Sequence, residues 1–296
     1  MNFTPTRRGA MLGTLALAAC AQTPARSEPQ FPPPPHPRIA AIEARLGARI
    51  GVAALNTASA AWIGHRIQER FAMASTFKWL LAAQMLQMAE QMPEFLQQRI
   101  LYDEADLLDY APTARAHLAR GWMTVEECCE AIVVVSDNTA ANLLLVGASG
   151  PAGFTSFIRA NADSVTRLDR TEPALNENAL GDERDTTTPD GMARSLRNVL
   201  VGEDVLNPAS REKLIGWMVA STTGLQRLRA GLPSDWRVGD KTGSGARGAV
   251  NDVAIAWPPG RAPIVIASYM SDGEADTATR SAAHAEIGRI IAETWG

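Results

Sequence analysis

Segments with the sequence character of β-strands lie at both ends of the chain, and a long helix-rich stretch separates them. Residues 49–55 form a mainly apolar run near the amino end. Three further strand-like runs lie near the carboxyl end, at 236–240, 252–257 and 262–269. Because a single strand cannot make a stable sheet, we expect the two ends of the chain to meet in one strand-rich lobe.

Helical patterns flank and separate these strands. Apolar residues recur at helical spacing in 39–46, and 282–295 closes the chain with a second helical pattern. Three central segments, 77–92, 124–135 and 140–146, are rich in residues that favour helix. The predicted fold class is therefore α/β (α+β), with N- and C-terminal helices against a sheet and a separate all-helical lobe.

The first twenty residues have the organisation of an export signal. Arg7 and Arg8 precede an apolar stretch from 10 to 19, and small residues lead up to Cys20. The tetrapeptide ending at Cys20 resembles the lipobox of bacterial lipoproteins, and the start around Arg7 resembles a twin-arginine signal. We expect a signal peptide over 1–19 and a lipid anchor on Cys20; the alternative is an ordinary cleaved signal in which Cys20 is incidental.

Proline dominates residues 24–37, a composition that favours extended polyproline II and cannot build a core. We interpret 20–37 as a tether between a membrane and a domain over 38–296. Within that domain we expect a strand-rich lobe from 38–66 and about 217–296. The helical lobe is expected to span about 67–216.

Charge and side-chain chemistry exclude several classes of function. A net charge of −4 without a basic cluster beyond the N-terminus predicts no binding to nucleic acid. The four histidines show no paired spacing of metal ligands, so we expect neither a metal nor another cofactor. Cys128 and Cys129 are adjacent, and a disulfide between neighbours on a helix is strained, so we expect none.

Three short motifs carry candidate chemistry. Ser75 and Lys78 lie three residues apart at the start of a helix, where an amine can take a hydroxyl proton and the helix N-terminus favours negative charge. Ser136-Asp137-Asn138 sits in a loop between helices, and Lys241-Thr242-Gly243 lies on a strand. Each motif alone has an ordinary alternative: a helix cap for the first two, and an exposed edge strand for the third.

Taken together and in this order, the motifs resemble those of class A β-lactamases, and the resemblance extends over about 39–295. The resemblance implies an antiparallel five-stranded sheet flanked by helices, beside the all-helical lobe. It implies β-lactam hydrolysis through an acyl-enzyme on Ser75, with Lys78, or Glu172 through water, as the base for acylation. A β-lactam is the expected small-molecule partner, and we expect an exported, periplasmic, monomeric enzyme that confers antibiotic resistance.

A base for releasing the acyl group distinguishes a hydrolase from a penicillin-binding transpeptidase. Glu172, the following Pro173 and Asn176 match the family pattern that holds a hydrolytic water, and the resemblance implies a cis bond before Pro173. Relatives close the base of this loop with a pair that corresponds to Arg170 and Asp185. The alternatives kept open are a D,D-peptidase or transpeptidase and a β-lactam-binding sensor lipoprotein.

The resemblance also implies roles for residues around the substrate. The backbone N–H groups of Ser75 and Ser244 would form an oxyanion hole, and Ser136 with Lys241 would protonate the departing nitrogen. The expected substrate-binding residues are Asn138, Asn176, Thr242, Gly243, Ser244, Tyr110 and Arg227. Arg227 is expected to provide the carboxylate-binding guanidinium, because Val250 stands where many relatives carry an arginine.

Overall fold

A computed structural model describes residue 1 and residues 31–296 of the chain. The expected signal peptide over 1–19 and Cys20 thus lie outside the described residues, Met1 excepted. Within them, the nine strands are β1 Arg49–Asn56, β2 Trp62–His65, β3 Phe71–Ala72, β4 Arg99–Leu101, β5 Trp122–Thr124, β6 Thr186–Thr187, β7 Arg237–Ser244, β8 Val250–Trp257 and β9 Ile264–Ser271. The ten α-helices are α1 Pro37–Leu46, α2 Lys78–Gln91, α3 Pro112–His117, α4 Val125–Val134, α5 Asn138–Gly147, α6 Gly150–Ala160, α7 Pro189–Leu200, α8 Pro208–Val219, α9 Leu228–Gly231 and α10 Thr277–Trp295.

The expected sheet forms from the two ends of the chain. Its five strands run in the order β2-β1-β9-β8-β7, and every neighbouring pair is antiparallel. The N-terminal β1 lies between its hairpin partner β2 and the C-terminal β9, with Arg49 opposite Ser271. The predicted fold class is confirmed, and the strand that carries Lys241-Thr242-Gly243 is longer than predicted, since it runs on to Ser244.

The two faces of this sheet pack against different helices because side chains alternate along a strand. Val52 and Ala54 point into a core that α1, α9 and α10 cover. Ala53 and Leu55 point the other way, into a larger core shared with the helical middle of the chain. The sheet therefore holds both layers together, and its β7 edge faces the helices that carry the candidate site.

Local sequence signals place several helix ends. Thr124 and Glu127 form a reciprocal capping box at the start of α4. Asp276 caps α10, and Gly47 ends α1 in the left-handed conformation. Helix α1 begins at Pro37, one residue before the expected domain boundary at 38.

No single helix within the described residues is long and apolar enough to cross a membrane. In residues 31–296, α5 and α6 reach the required length and composition when they are taken together as a bent pair. Cys128 and Cys129 are both free and buried in α4, and burial raises the pKa of the Cys128 thiol to about 12.

A buried histidine gives the fold a specific acid sensitivity. His284 in α10 is fully buried and donates from Nε2 to the carbonyl of Val250 at 2.9 Å, while its Nδ1 lies 2.9 Å from the hydroxyl of Ser268. Burial, with Arg227 nearby, lowers the pKa of His284 to about 3. In the unfolded chain His284 binds a proton below its ordinary pKa of 6.5, whereas in the native state it stays neutral down to about pH 3. The free energy of unfolding therefore falls as the pH falls from 6.5 to about 3.

We predict that the free energy of unfolding falls less in acid when His284 is replaced with Gln. Between pH 7 and about pH 4.5, His284 alone should lower the free energy of unfolding of the unmodified protein by about 2–3 kcal/mol. Urea unfolding of both proteins at the two pH values measures this contribution, because other titrating groups are common to both. An equal loss of stability in the two proteins would contradict a neutral buried His284.

Candidate active site

The candidate site is built around a buried lysine. Lys78 is completely buried at the start of α2, and its Nζ lies 2.9 Å from Glu172 Oε1 and 2.9 Å from the carbonyl oxygen of Ser136. Its ammonium also donates to Asn138 Oδ1. Burial lowers the pKa of Lys78, and the neighbouring Glu172 carboxylate opposes that shift. One amine thus links residues from three separate segments of the sequence.

Ser75 lies directly beside this group. Its hydroxyl donates to Glu172 Oε1 at 3.3 Å, so one carboxylate oxygen contacts both the serine and Lys78. The sequence predicted that Ser75 starts the long helix; it lies instead in a 3-10 turn, Ala74–Phe77, that leads into α2. Ala74 has a φ of 44°, which is unusual for a residue other than glycine and is a kind of backbone strain that clusters at functional sites.

Strand β7 brings a second buried lysine to the same place. Lys241 Nζ donates to Ser136 Oγ at 3.0 Å, and Lys78 Nζ lies 3.5 Å from that oxygen. The pKa of Lys241 is held well below its ordinary value by burial and by the positive charge of Lys78. Ser136 itself has a φ of 63°, which holds its hydroxyl between the two amines.

The Ser136-Asp137-Asn138 motif divides into a site part and a structural part. Asp137 is fully buried and caps α5 by accepting from the N–H of Ala140 at 2.9 Å. Its other oxygen accepts from the N–H groups of Thr113 and Ala114 at the start of α3. The cap therefore orients the two flanking residues toward Lys78 and Lys241, and Asn138 also donates its backbone N–H to the carbonyl of Tyr110.

Glu172 is held from several sides. The bond between Glu172 and Pro173 is cis, as the resemblance implied. Asn176 donates to Glu172 Oε2 at 2.5 Å. Asn142 accepts from the backbone N–H of Glu172 at 3.0 Å and donates to its carbonyl at 2.9 Å. Sequence reasoning missed Asn142, although its spacing of four from Asn138 on α5 was a usable signal for a shared helix face.

Strand β7 passes close to the serine at Gly243. A Cβ on Gly243 would lie 2.6 Å from the carbonyl oxygen of Met73 and 3.2 Å from the backbone nitrogen of Ser75. Only glycine permits this approach. It brings β7, and with it the next residue, Ser244, alongside the backbone of Ser75.

Arg227 reaches the site from beneath this strand. Its guanidinium donates to the carbonyl oxygens of Gly243 and Asn251, and to the hydroxyl of Ser244 at 2.9 Å. Thr242 donates to Thr223 Oγ1 at 2.6 Å. Tyr110, half exposed, lies next to Asn138, so every candidate site residue from the sequence is in this region.

The arrangement can move protons between oxygen and nitrogen atoms. Hydroxyl, carboxylate and amine groups alternate from Ser75 through Glu172 and Lys78 to Ser136 at distances of 2.9–3.5 Å. Within the described residues, no group of three or more His, Cys, Asp or Glu side chains could hold a metal ion. The contacts among Ser75, Glu172 and Lys78 suit nucleophilic attack by a serine with acid-base assistance.

Comparison with known proteins points to one family. A model described as the β-lactamase enzyme family matches residues 34–295. Beta-lactamase AST-1 of Nocardia asteroides is 48% identical over 88% of this chain and 83% of its own length. The structure of an ancestral class A β-lactamase, inferred for Gram-negative bacteria, has 54% identity and a TM-score of 0.85, covering 87% of this chain and 98% of its own. A structure of L2 complexed with relebactam has 49% identity and a TM-score of 0.85, covering 87% and 95%.

The loop that carries Glu172 depends on a buried ion pair at its base. Asp185 is completely buried, and one of its oxygens accepts from the backbone N–H groups of Asp169 and Arg170 at 2.7 and 2.9 Å. The other accepts from Arg170 Nε at 2.5 Å. The carbonyl of Asp185 also accepts from the N–H of Met73, two residues before Ser75.

We predict that Asp185→Asn lowers the free energy of unfolding by about 3 kcal/mol, because Arg170 loses a buried partner. The variant should also turn over substrate more slowly, since Glu172 is then less firmly held. Glu177→Gln is the matched control: Glu177 contacts the same guanidinium but its side chain is 57% exposed, so its loss should matter little. Equal stabilities for the two variants in urea unfolding would contradict this account.

Proposed function

This chain belongs to the class A β-lactamases, and from that premise we propose that its hydrolysis of β-lactams proceeds through an acyl-enzyme on Ser75 that Glu172 helps to release. The family expected from the sequence is thereby confirmed. The observation that carries the proposal is the contact of a single carboxylate oxygen, Glu172 Oε1, with both the Ser75 hydroxyl and Lys78.

In acylation, Ser75 Oγ attacks the lactam carbonyl carbon while its proton passes to Glu172. Lys78 supports this transfer as a cation, since its amine faces three oxygen acceptors on Glu172, Ser136 and Asn138. The negative charge that develops on the lactam oxygen is stabilised by the backbone N–H groups of Ser75 and Ser244, which the close approach at Gly243 supports.

The lactam nitrogen leaves with a proton delivered through the same groups. Ser136 gives its proton to the nitrogen and regains one from Lys78, which regains one from Glu172. Lys78 Nζ lies 3.5 Å from Ser136 Oγ and 2.9 Å from Glu172 Oε1. The net result is transfer of the Ser75 proton to the nitrogen. Glu172 is then a carboxylate again, ready for the second step. The ammonium of Lys241 beside Ser136 stabilises the negative charge on Ser136 Oγ while its proton is being transferred.

In deacylation, Glu172 and Asn176 hold a water molecule and Glu172 takes its proton as the water attacks the ester. The ester bond to Ser75 Oγ then breaks, and the proton returns to that oxygen. The direct contact between Asn176 and Glu172 supports this pairing, and the double hydrogen bond from Asn142 fixes the backbone of the base.

We propose individual roles in substrate binding for Lys241 and for the substrate-binding residues that the resemblance implied. Lys241, Thr242 and Ser244 hold the carboxylate of the substrate, and Arg227 supplies positive charge beneath them. Asn138, Asn176 and Gly243 flank the acylamide side chain, and Tyr110 forms a wall at the entrance. The relative L2 forms a complex with relebactam, which supports the binding of a small molecule by this chain.

We predict that Glu172→Ala reduces steady-state turnover of a chromogenic cephalosporin by about 10²–10⁴-fold, because the base for water attack is gone. Without the Glu172 carboxylate, burial lowers the pKa of Lys78 further, so that its amine can take the Ser75 proton and acylation continues. The acyl-enzyme should then accumulate and be visible as added mass on the intact protein. Glu177→Ala is the control, because it removes an exposed carboxylate from the same loop. A stable adduct on the unmodified protein would instead favour a penicillin-binding or sensor function.

For location, we propose an exported protein that a lipid on Cys20 tethers to a membrane in the periplasm, with a monomeric catalytic domain over 38–296. The sequence from Arg7 to Cys20 supports export and lipidation.

Cys20→Ser should release the enzyme from the membrane fraction and abolish incorporation of labelled fatty acid, with activity per molecule unchanged. Continued membrane association of this variant would contradict the lipid anchor.

A further inference from the structure

The proline-rich segment has no role in the chemistry above, yet its last residues contact the domain. Strand β2 is an edge strand of the five-stranded sheet, and its outer side is occupied by residues 33–36. Pro35 forms a parallel bridge with Gly64, and the N–H of His36 donates to the carbonyl oxygen of Gly64 at 2.9 Å. The end of the expected spacer is therefore part of the folded body.

The packing at this edge is close. A Cβ on Gly64 would lie 2.6 Å from Ile67 Cγ2 and 2.7 Å from Pro33 Cγ, so the proline ring and Ile67 together fill the space that any larger residue at position 64 would need. Further out, the rings of Phe31 and Trp62 meet edge to face, with centroids 5.5 Å apart. The guanidinium of Arg194 lies over both rings, at 4.8 Å from Phe31 and 5.2 Å from Trp62.

An uncovered edge strand presents backbone groups that can pair with a strand from another molecule. Residues 32–35 are all proline, and none has a backbone N–H to donate. A chain of this kind can cover β2 and cannot itself serve as a template for a further strand. The other edge strand, β7, packs against α8 and against the turn that carries Ser75.

We propose that residues 31–36 are a built-in cap of the β2 edge, which keeps this edge and Trp62 from pairing with a second copy of the chain. The occupant of the surface is the chain's own proline-rich segment. Removing it leaves an open strand edge beside an aromatic ring, the combination that favours association of identical edges. The cap lies apart from the groups around Ser75, so its loss leaves the chemistry intact.

The test compares a chain that begins at residue 31 with one that begins at residue 37. The shorter chain should hydrolyse a chromogenic cephalosporin within about twofold of the longer one and unfold about 3 °C lower. Its weight-average mass in analytical ultracentrifugation should rise with concentration toward that of a dimer. The longer chain should stay monomeric over the same range. A monomeric short chain with an unchanged Tm would overturn the proposal.

A peptide added to the short chain distinguishes self-association through an open β2 edge from self-association through a general loss of structure. Acetylated Pro-Gln-Phe-Pro-Pro-Pro-Pro-His should return the short chain to a monomer and raise its Tm, whereas the same peptide with all five prolines replaced by alanine should do so poorly. Self-association that the first peptide leaves unchanged would overturn the proposal.

A substitution in the longer chain provides a second route if the short chain does not fold. Phe31→Ala removes the ring contact with Trp62, so the backbone N–H of His36 should exchange with solvent about tenfold faster. Phe31→Tyr, which retains the ring, is the matched control. Equal exchange at His36 in the two variants and the unmodified chain would count against a cap held by these contacts.

Discussion

The site depends on the burial of one cation. Lys78 is fully enclosed, and a buried charge is tolerated only where partners surround it. Those partners come from the loop of Glu172 and from the turn at Ser136, so the lysine draws two distant segments onto the start of α2. The same contacts that satisfy the lysine align the groups to which we assign proton transfer.

Residues from several distant segments hold the groups that surround this cation. Glu172 must stay close to Lys78 although the two lie on different elements, and its loop is fixed at the base by the buried pair of Asp185 and Arg170. The second buried lysine, Lys241, comes from the opposite lobe and is tolerated because Ser136 and the carbonyl of Thr242 accept its hydrogen bonds. The hydrogen bonds that satisfy the two buried lysines thus also hold the candidate active site together.

The two ends of the chain contribute to opposite parts of the sheet. The C-terminal β7 forms the edge at the candidate active site, where it packs against α8 and the turn that carries Ser75 and where Lys241 donates to Ser136. The N-terminal β2 forms the other edge, where the chain's own prolines lie against Gly64. The two edges of the sheet therefore have different neighbours. Strand β7 packs against helices at the candidate active site, whereas β2 lies against a proline segment that has no N–H donors.

Sequence alone determined the fold class and the motifs, because periodicity, caps and chemically specific triplets are local properties. It identified Ser75, Lys78, Glu172 and Lys241 as candidates, and the structure brings them together. It did not reveal the backbone clamp of Asn142 on Glu172, nor the docking of residues 33–36 on β2. Only the tertiary structure decided these features, since each joins residues that are far apart in the chain. The helical spacing of Asn142 from Asn138 indicates a shared helix face, but it does not identify Glu172 as the partner.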